Sequence, residues 1–258
     1  VRLLGDSVTQ AREVDEVDSW PCRLAATGLS VANLGVGGYG TTQEVALFRR
    51  YGALLKPKAV LVTLVPNDPA DNEIFDGWRR AVAAGTARAD GLSRFRFCAA
   101  LGARKPSCGQ FRVVGRLGTL PKLLVSRLLD ALTFPRLAPR SGSAGMSLLI
   151  RDLRELHELL GARGVKLAVA MKNDWRKYFP ASRSEIVSFL EREGIPYTDL
   201  EFERKQPGAE LTFPLDGHWT ARGNAAAAAE VSLFLTRAGL IGTGKARGAP
   251  RAVQQRNE

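Results

Sequence analysis

Two polar residues far apart in the chain carry the clearest chemical signal. Ser7, in Gly5-Asp6-Ser7, closes a short apolar run, and His218, in Asp216-Gly217-His218, is one of only two histidines in 258 residues. A serine hydroxyl becomes a useful nucleophile when a neighbouring imidazole takes its proton. Acyl transfer of that kind needs the base within about 3 Å of the hydroxyl, a group that orients the base, and donors aimed at the developing oxyanion. His157 falls among Leu153, Leu156, Leu159 and Leu160 at helical spacing, which reads as a structural or surface position. If the base is a histidine, it is His218. Two further polar segments stand at the ends of apolar runs: the glycine-rich stretch 35–40 and Asn67-Asp68.

The elements needed to position these residues are legible as alternation. The apolar run 1–4 reads as a strand, and 10–27 as a helix with Pro21 interrupting it. A short strand over 29–34 leads into the glycine loop, and Thr41 or Thr42 can cap a helix running to about Leu55. Residues 59–65 form a continuous β-branched apolar run, the mark of a strand covered on both faces. After a lapse, helix 146–162, strand 165–171, helix 182–193, strand 195–200 and an alanine-rich helix ending near Ala238 follow. Such alternation predicts a three-layer α/β/α domain around a parallel sheet of about five strands. In such a sheet, polar strand ends gather on the carboxyl edge, where ligands bind.

The expected organisation is one domain over 1–240, a basic insertion at about 77–145 and a disordered basic tail over 241–258. The chain carries a net charge of +11, but the insertion alone holds 13 Arg/Lys against two acids. The remainder of the domain has 20 basic and 23 acidic residues. The insertion therefore suits an anionic polymer or a membrane surface, against the plainer reading of a solvated arginine-rich face. No specific nucleic acid is expected. A 45% hydrophobic share is ordinary for a globular chain that buries a core, and no apolar run approaches the roughly 18 residues of a membrane span. The first residue is Val1, directly in an apolar run, so a removed upstream segment is expected. A bacterial periplasmic or other extracytoplasmic setting is favoured, with a cytoplasmic one as the alternative.

Taken together, the segments resemble the SGNH hydrolase superfamily of GDSL-type esterases and lipases. The resemblance covers roughly 1–240 outside the insertion, and implies a flavodoxin-like α/β/α fold. It implies Ser7 as nucleophile and backbone oxyanion donor, Gly38 as the second donor with Gly37 its rival, and Asn67 as the side-chain donor. His218 is then the general base, oriented by Asp216. Asp6, Tyr39, Asp68 and Trp219 adjoin these positions and are expected near the substrate. Two departures stand out. Val65-Pro66 occupies the place where the third block carries glycine, and Asp216 lies two residues before His218 in place of the usual three. The resulting D-x-H-W string resembles the alginate O-acetyltransferase-like branch.

The implied activity is hydrolysis of acyl esters, short or O-acetylated carbohydrate esters first. O-acetyl transfer to a glycan and an inactive glycan-binding module are the alternatives. No cofactor and no metal is expected. Asp68, Asp71 and Asn72 read as solvated loop residues, and Asn173-Asp174 as a turn and helix cap. The glycines at 35–40 lack dinucleotide-fingerprint spacing. Cys22 reads as a small core residue, while Cys98 and Cys108 would pair only in an oxidising compartment.

Overall fold

The computed structural model describes residues 1–92, 140, 142–206, 210–214 and 216–242. Five strands form one parallel sheet: β1 (Arg2–Gly5), β2 (Ala32–Asn33), β3 (Ala59–Leu64), β4 (Lys166–Lys172) and β5 (Tyr197–Leu200), in the order β2-β1-β3-β4-β5. The chain leaves β1 for one side of the sheet, then returns to pair β3 on the other. That reversal opens a crevice between the carboxyl ends of β1 and β3, where ligands of open α/β sheets bind. Register puts Gly5 of β1 opposite Thr63 of β3, so the segments that follow them emerge side by side.

Helices cover both faces. β3 is buried at all six positions, and successive residues of a strand point to opposite faces. Leu4, Val60, Val62 and Leu64 therefore meet α3 (Thr41–Tyr51), α5 (Ala144–Gly161) and α7 (Pro180–Arg192), through Phe48, Leu153, Ile186 and Phe189. Leu3 and Leu61 meet α2 (Trp20–Ala26) and α9 (Ala221–Arg237), through Trp20, Leu24, Ala227 and Val231. The alanines of α9 let it lie close to the sheet. Asn224 ties it to α2 by accepting the Trp20 amide at 3.0 Å.

Several boundaries differ from expectation for local reasons. The helix expected over 10–27 is instead α1 (Ser7–Gln10), ended by Ala11 at φ +54°, then a 3-10 turn and α2. Pro21 sits at the start of α2, where a missing amide proton costs nothing. Thr41 and Thr42 do not cap α3; both hydroxyls donate to Asp152 of α5, while Gln43 accepts the Gly40 amide. The strand expected over 29–34 shrinks to two residues. Helix α4 (Asp68–Ala83) runs into the start of the supposed insertion at 77, and α5 begins just before its end. Residues 93–139, 141 and 243–258, with Cys98, Cys108 and most of the insertion and tail, lie outside the described residues. No helix among the described residues is long and apolar enough to cross a membrane.

Candidate active site

Ser7 is the first residue of α1, one turn of helix placed directly at the end of β1. Gly5 makes that turn possible: its φ is +152°, and a Cβ there would come within 2.1 Å of Thr9 Oγ1. Asp6 caps the helix, accepting the Val8 amide at 2.8 Å. Trp20 fixes the turn from outside by donating its indole N–H to the Val8 carbonyl at 3.0 Å.

His218 reaches Ser7 from the other end of the chain. Its loop is closed by a bridge between Thr212 and Trp219 and by the Phe213 amide donating to the His218 carbonyl at 2.9 Å. Ser7 Oγ lies 2.8 Å from His218 Nε2 and 3.2 Å from Asp6 Oδ2. Asp216 Oδ1 bonds His218 Nδ1 on the far side of the ring. Between the two stands Gly217 at φ +76°, a left-handed conformation that lets residues two apart turn toward one another. That conformation explains the shortened Asp-x-His spacing.

Asn67 occupies the N-cap of α4 at the end of β3, and its Nδ2 donates to Asp71 at 3.0 Å and to Asp6 at 3.3 Å. Asp6 therefore joins Ser7, Val8 and Asn67 through one carboxylate that is only 2% exposed. Burial raises its pKa, against the hydrogen bonds from Val8, Asn67 and Ser7. The glycine loop curls beside the same turn, with the Val36 amide bonded to the Gly5 carbonyl at 3.0 Å. Gly37 passes so near that a Cβ on it would lie 3.6 Å from Ser7 Cβ. Its amide is bonded to Gln10 Oε1 at 3.0 Å, and Gly38 follows it at φ +79°.

Other expected site residues fall elsewhere. Asp68 is fully buried on the first turn of α4, where Oδ2 accepts the Val65 amide at 2.8 Å, so it offers no surface to a substrate. Asp71 and Asn72, read as solvated, are also buried, because the first turns of α4 pack against Gly40 and α3. Trp219 is 3% exposed, stacks edge-on to Phe202 and donates to Glu203 at 2.7 Å; it belongs to the core behind the histidine. Tyr39 is half-buried, one residue beyond Gly38. Asn173 makes no side-chain cap, and Asp174 instead pairs with Lys172. Cys22 is a half-buried free thiol, and His157 is half-buried on α5. Among the described residues no group of His, Cys, Asp and Glu is placed to hold a metal ion.

Sequence reasoning missed the acids behind the site. Glu44 of α3 is 1% exposed, and both its carboxyl oxygens lack hydrogen-bond partners among the described residues. Burial, then the charges of Asp6, Asp152 and Asp71, push its pKa well up. Burial, then Glu44 and Asp6, do the same to Asp68. Glu13 was missed as well; its Oε1 stands 3.9 Å from His218 Nε2. Nothing in local sequence pattern marks either glutamate.

No protein-family profile matches the chain, and no curated protein sequence does. Solved structures do share its fold. A lipolytic protein assigned to the G-D-S-L family of Desulfitobacterium hafniense superposes with a TM-score of 0.54 at 12% identity, over 91% of this chain and 99% of that one. The structure of TesA gives 0.53 at 15% identity, over 93% and 98%. The psychrotrophic esterase EstA of a Pseudoalteromonas species, inhibited by monoethylphosphonate, gives 0.52 at 13% identity, over 92% and 96%. At such identities the likeness is one of fold: a five-stranded parallel sheet between helical layers.

Proposed function

We propose that the protein is a serine-dependent acyl-ester hydrolase of the SGNH type. One observation carries the reading: Ser7 Oγ stands 2.8 Å from His218 Nε2 while Asp216 holds Nδ1. A nucleophile, its base and the group that orients the base are thus in bonding order. Ser7 Oγ attacks the ester carbonyl and its proton passes to Nε2. Asp216 stabilises the imidazolium from the other side. The oxyanion forms beside the amides of Ser7 and Gly38 and the Nδ2 of Asn67, which gives up its longer bond, 3.3 Å to Asp6, to donate to it. Ser7 contributes its amide because the first N–H groups of a helix have no partner within it. The tetrahedral adduct collapses, the alcohol leaves with the proton from Nε2, and an acyl-Ser7 ester remains. Water, giving a proton to Nε2, attacks that ester, and the acid and the free hydroxyl are restored. The superposed proteins include a lipolytic protein and an esterase, which fits this chemistry.

Short acyl esters, including O-acetyl groups on carbohydrate, are the proposed substrates. Transfer to a sugar hydroxyl would pass through the same acyl-enzyme. Its motivation, the D-x-H-W string, weakens because Trp219 faces the core. An ester panel graded by acyl length, run on wild type and Ser7→Ala, tests the reading. Turnover and covalent labelling by a serine-directed phosphonate should both vanish in Ser7→Ala; labelling that persists there would refute the nucleophile.

A further inference from the structure

The atom through which His218 exchanges protons has a second polar neighbour, Glu13. Glu13 lies on the loop between α1 and the 3-10 turn Glu16–Asp18. Its side chain is 18% exposed, and its Oε1 is 3.9 Å from His218 Nε2. Arg12 stands 3.4 Å away, but with a guanidinium side chain 73% exposed, so its charge is largely screened by water. The acyl chemistry derived above does not call for this carboxylate: Asp216 holds Nδ1, and Nε2 already faces Ser7. Its place does matter to the substrate. A leaving alcohol oxygen must come within about 2.6–3.2 Å of Nε2 to be protonated. Groups on the neighbouring carbon of that alcohol are then brought up to Glu13. An ionised carboxylate accepts hydrogen bonds and donates none. A hydroxyl there is matched, whereas a carboxylate or phosphate is repelled.

Resting on the hydrolase reading of the site, we propose that Glu13 determines specificity for the alcohol portion of the substrate. It binds a hydroxyl beside the ester oxygen and turns away anionic alcohols. The substrate class is thus an ester of an uncharged polyol or sugar. Apart from Arg12, the charged residues that continue from this loop into the 3-10 turn have the same sign: Asp15 and Glu16 are exposed, and Asp18 is paired with Arg23 at 2.5 Å. The surplus of positive charge in the chain therefore does not extend to the loop beside Ser7.

Two matched pairs of acetyl esters test the inference. One pair is cyclohexanediol monoacetate and cyclohexyl acetate, which differ by the neighbouring hydroxyl. The other is a monoacetylated methyl glucoside and the corresponding glucuronoside, acetylated next to the carbon that carries the carboxylate. Wild type should favour the diol ester over the plain one, and the glucoside over the glucuronoside, each by about tenfold in kcat/KM. Glu13→Ala should erase the first preference. Glu13→Gln should narrow the second toward parity, and Glu13→Lys should invert it. Added salt should narrow the second preference in wild type. p-Nitrophenyl acetate reports the catalytic centre separately. If wild type turns it over but Glu13→Gln leaves both ratios unchanged, the role of Glu13 is refuted and the hydrolase reading stands. An equal loss on every ester would mean that Glu13 acts on His218 rather than on substrate, and would also refute it. If wild type hydrolyses none of these esters, the hydrolase reading itself fails.

Discussion

Asp216 and His218 are separated by one residue, and the carboxylate of the first nevertheless bonds the imidazole of the second. Gly217, at φ +76°, supplies the bend. The pair is therefore a local device, built within a few residues and then delivered to Ser7 by a loop closed between Thr212 and Trp219.

That local origin sets the first prediction. Gly217→Ala forces a side chain into a left-handed backbone position, at a cost of roughly 1 kcal/mol. The loop can relieve the strain by turning Asp216 away, so kcat should fall with little change in KM or in overall stability. Asp216→Ala should lower kcat by about 10²-fold. This is less than the ~10⁴ known for a buried orienting acid, because the Asp216 side chain is 37% exposed and water can replace part of its hydrogen bonding. Loss of kcat as deep as that of Ser7→Ala would show that the carboxylate does more than orient. Steady-state kinetics with a circular-dichroism melt for each variant decides between them.

Asn67 carries the second prediction. Its amide stands between two acids, Asp6 and Asp71, and keeps them apart by donating to both. Asn67→Ala should lower kcat by about 10²–10³, the usual cost of one oxyanion donor. It should also leave the two carboxylates facing each other across an empty place. The melting temperature of the variant should therefore drop more at neutral pH than in mild acid, where a carboxyl can protonate. A loss of kcat without that pH-dependent loss of stability would show that the acids are screened by something other than the amide.

The parts of the molecule legible from sequence are those whose cause is local. The buried run at β3, the glycine turn before Ser7 and the scarcity of histidines each follow from composition at a few adjacent positions. The site could be anticipated because a parallel sheet gathers its strand ends on one edge. What was not legible depends on packing between distant elements. Asp68 and Asp71 read as solvated because acids are rarely buried without partners, yet α4 starts at once after Asn67 and its first turns are covered by α3. The helix expected over 10–27 failed because Ala11 turns left-handed after a single turn, which nothing in the spacing of Val14, Val17 and Leu24 reveals. Glu13 meets His218 only through the closure of the C-terminal loop.

The last prediction concerns the acids behind the site. Glu44 is enclosed with Asp6, Asp68, Asp71 and Asp152, and Arg151 is paired with Asp152 at 2.7 Å. Burial makes the charged form of Glu44 costly, so its folded pKa lies well above the ordinary glutamate value of 4.5. Above that value the unfolded chain loses the proton while the folded chain keeps it. The folded state then binds more protons than the unfolded one, and stability falls as pH rises toward the folded pKa. Asp68, raised for the same leading reason, acts in the same direction from its ordinary value of 3.8. Glu44→Gln replaces the protonated acid with a neutral group of nearly the same shape, so Glu44's share of the penalty disappears. The variant should melt at or near the wild-type temperature at pH 4 and several degrees higher at pH 8, with a flatter profile between. Glu44→Ala should instead melt lower at both, because it leaves a cavity in a close-packed region. A Glu44→Gln variant that is destabilised at pH 8 but much less at pH 4 would mean that Glu44 is ionised in the folded protein and bound by a partner that glutamine cannot serve.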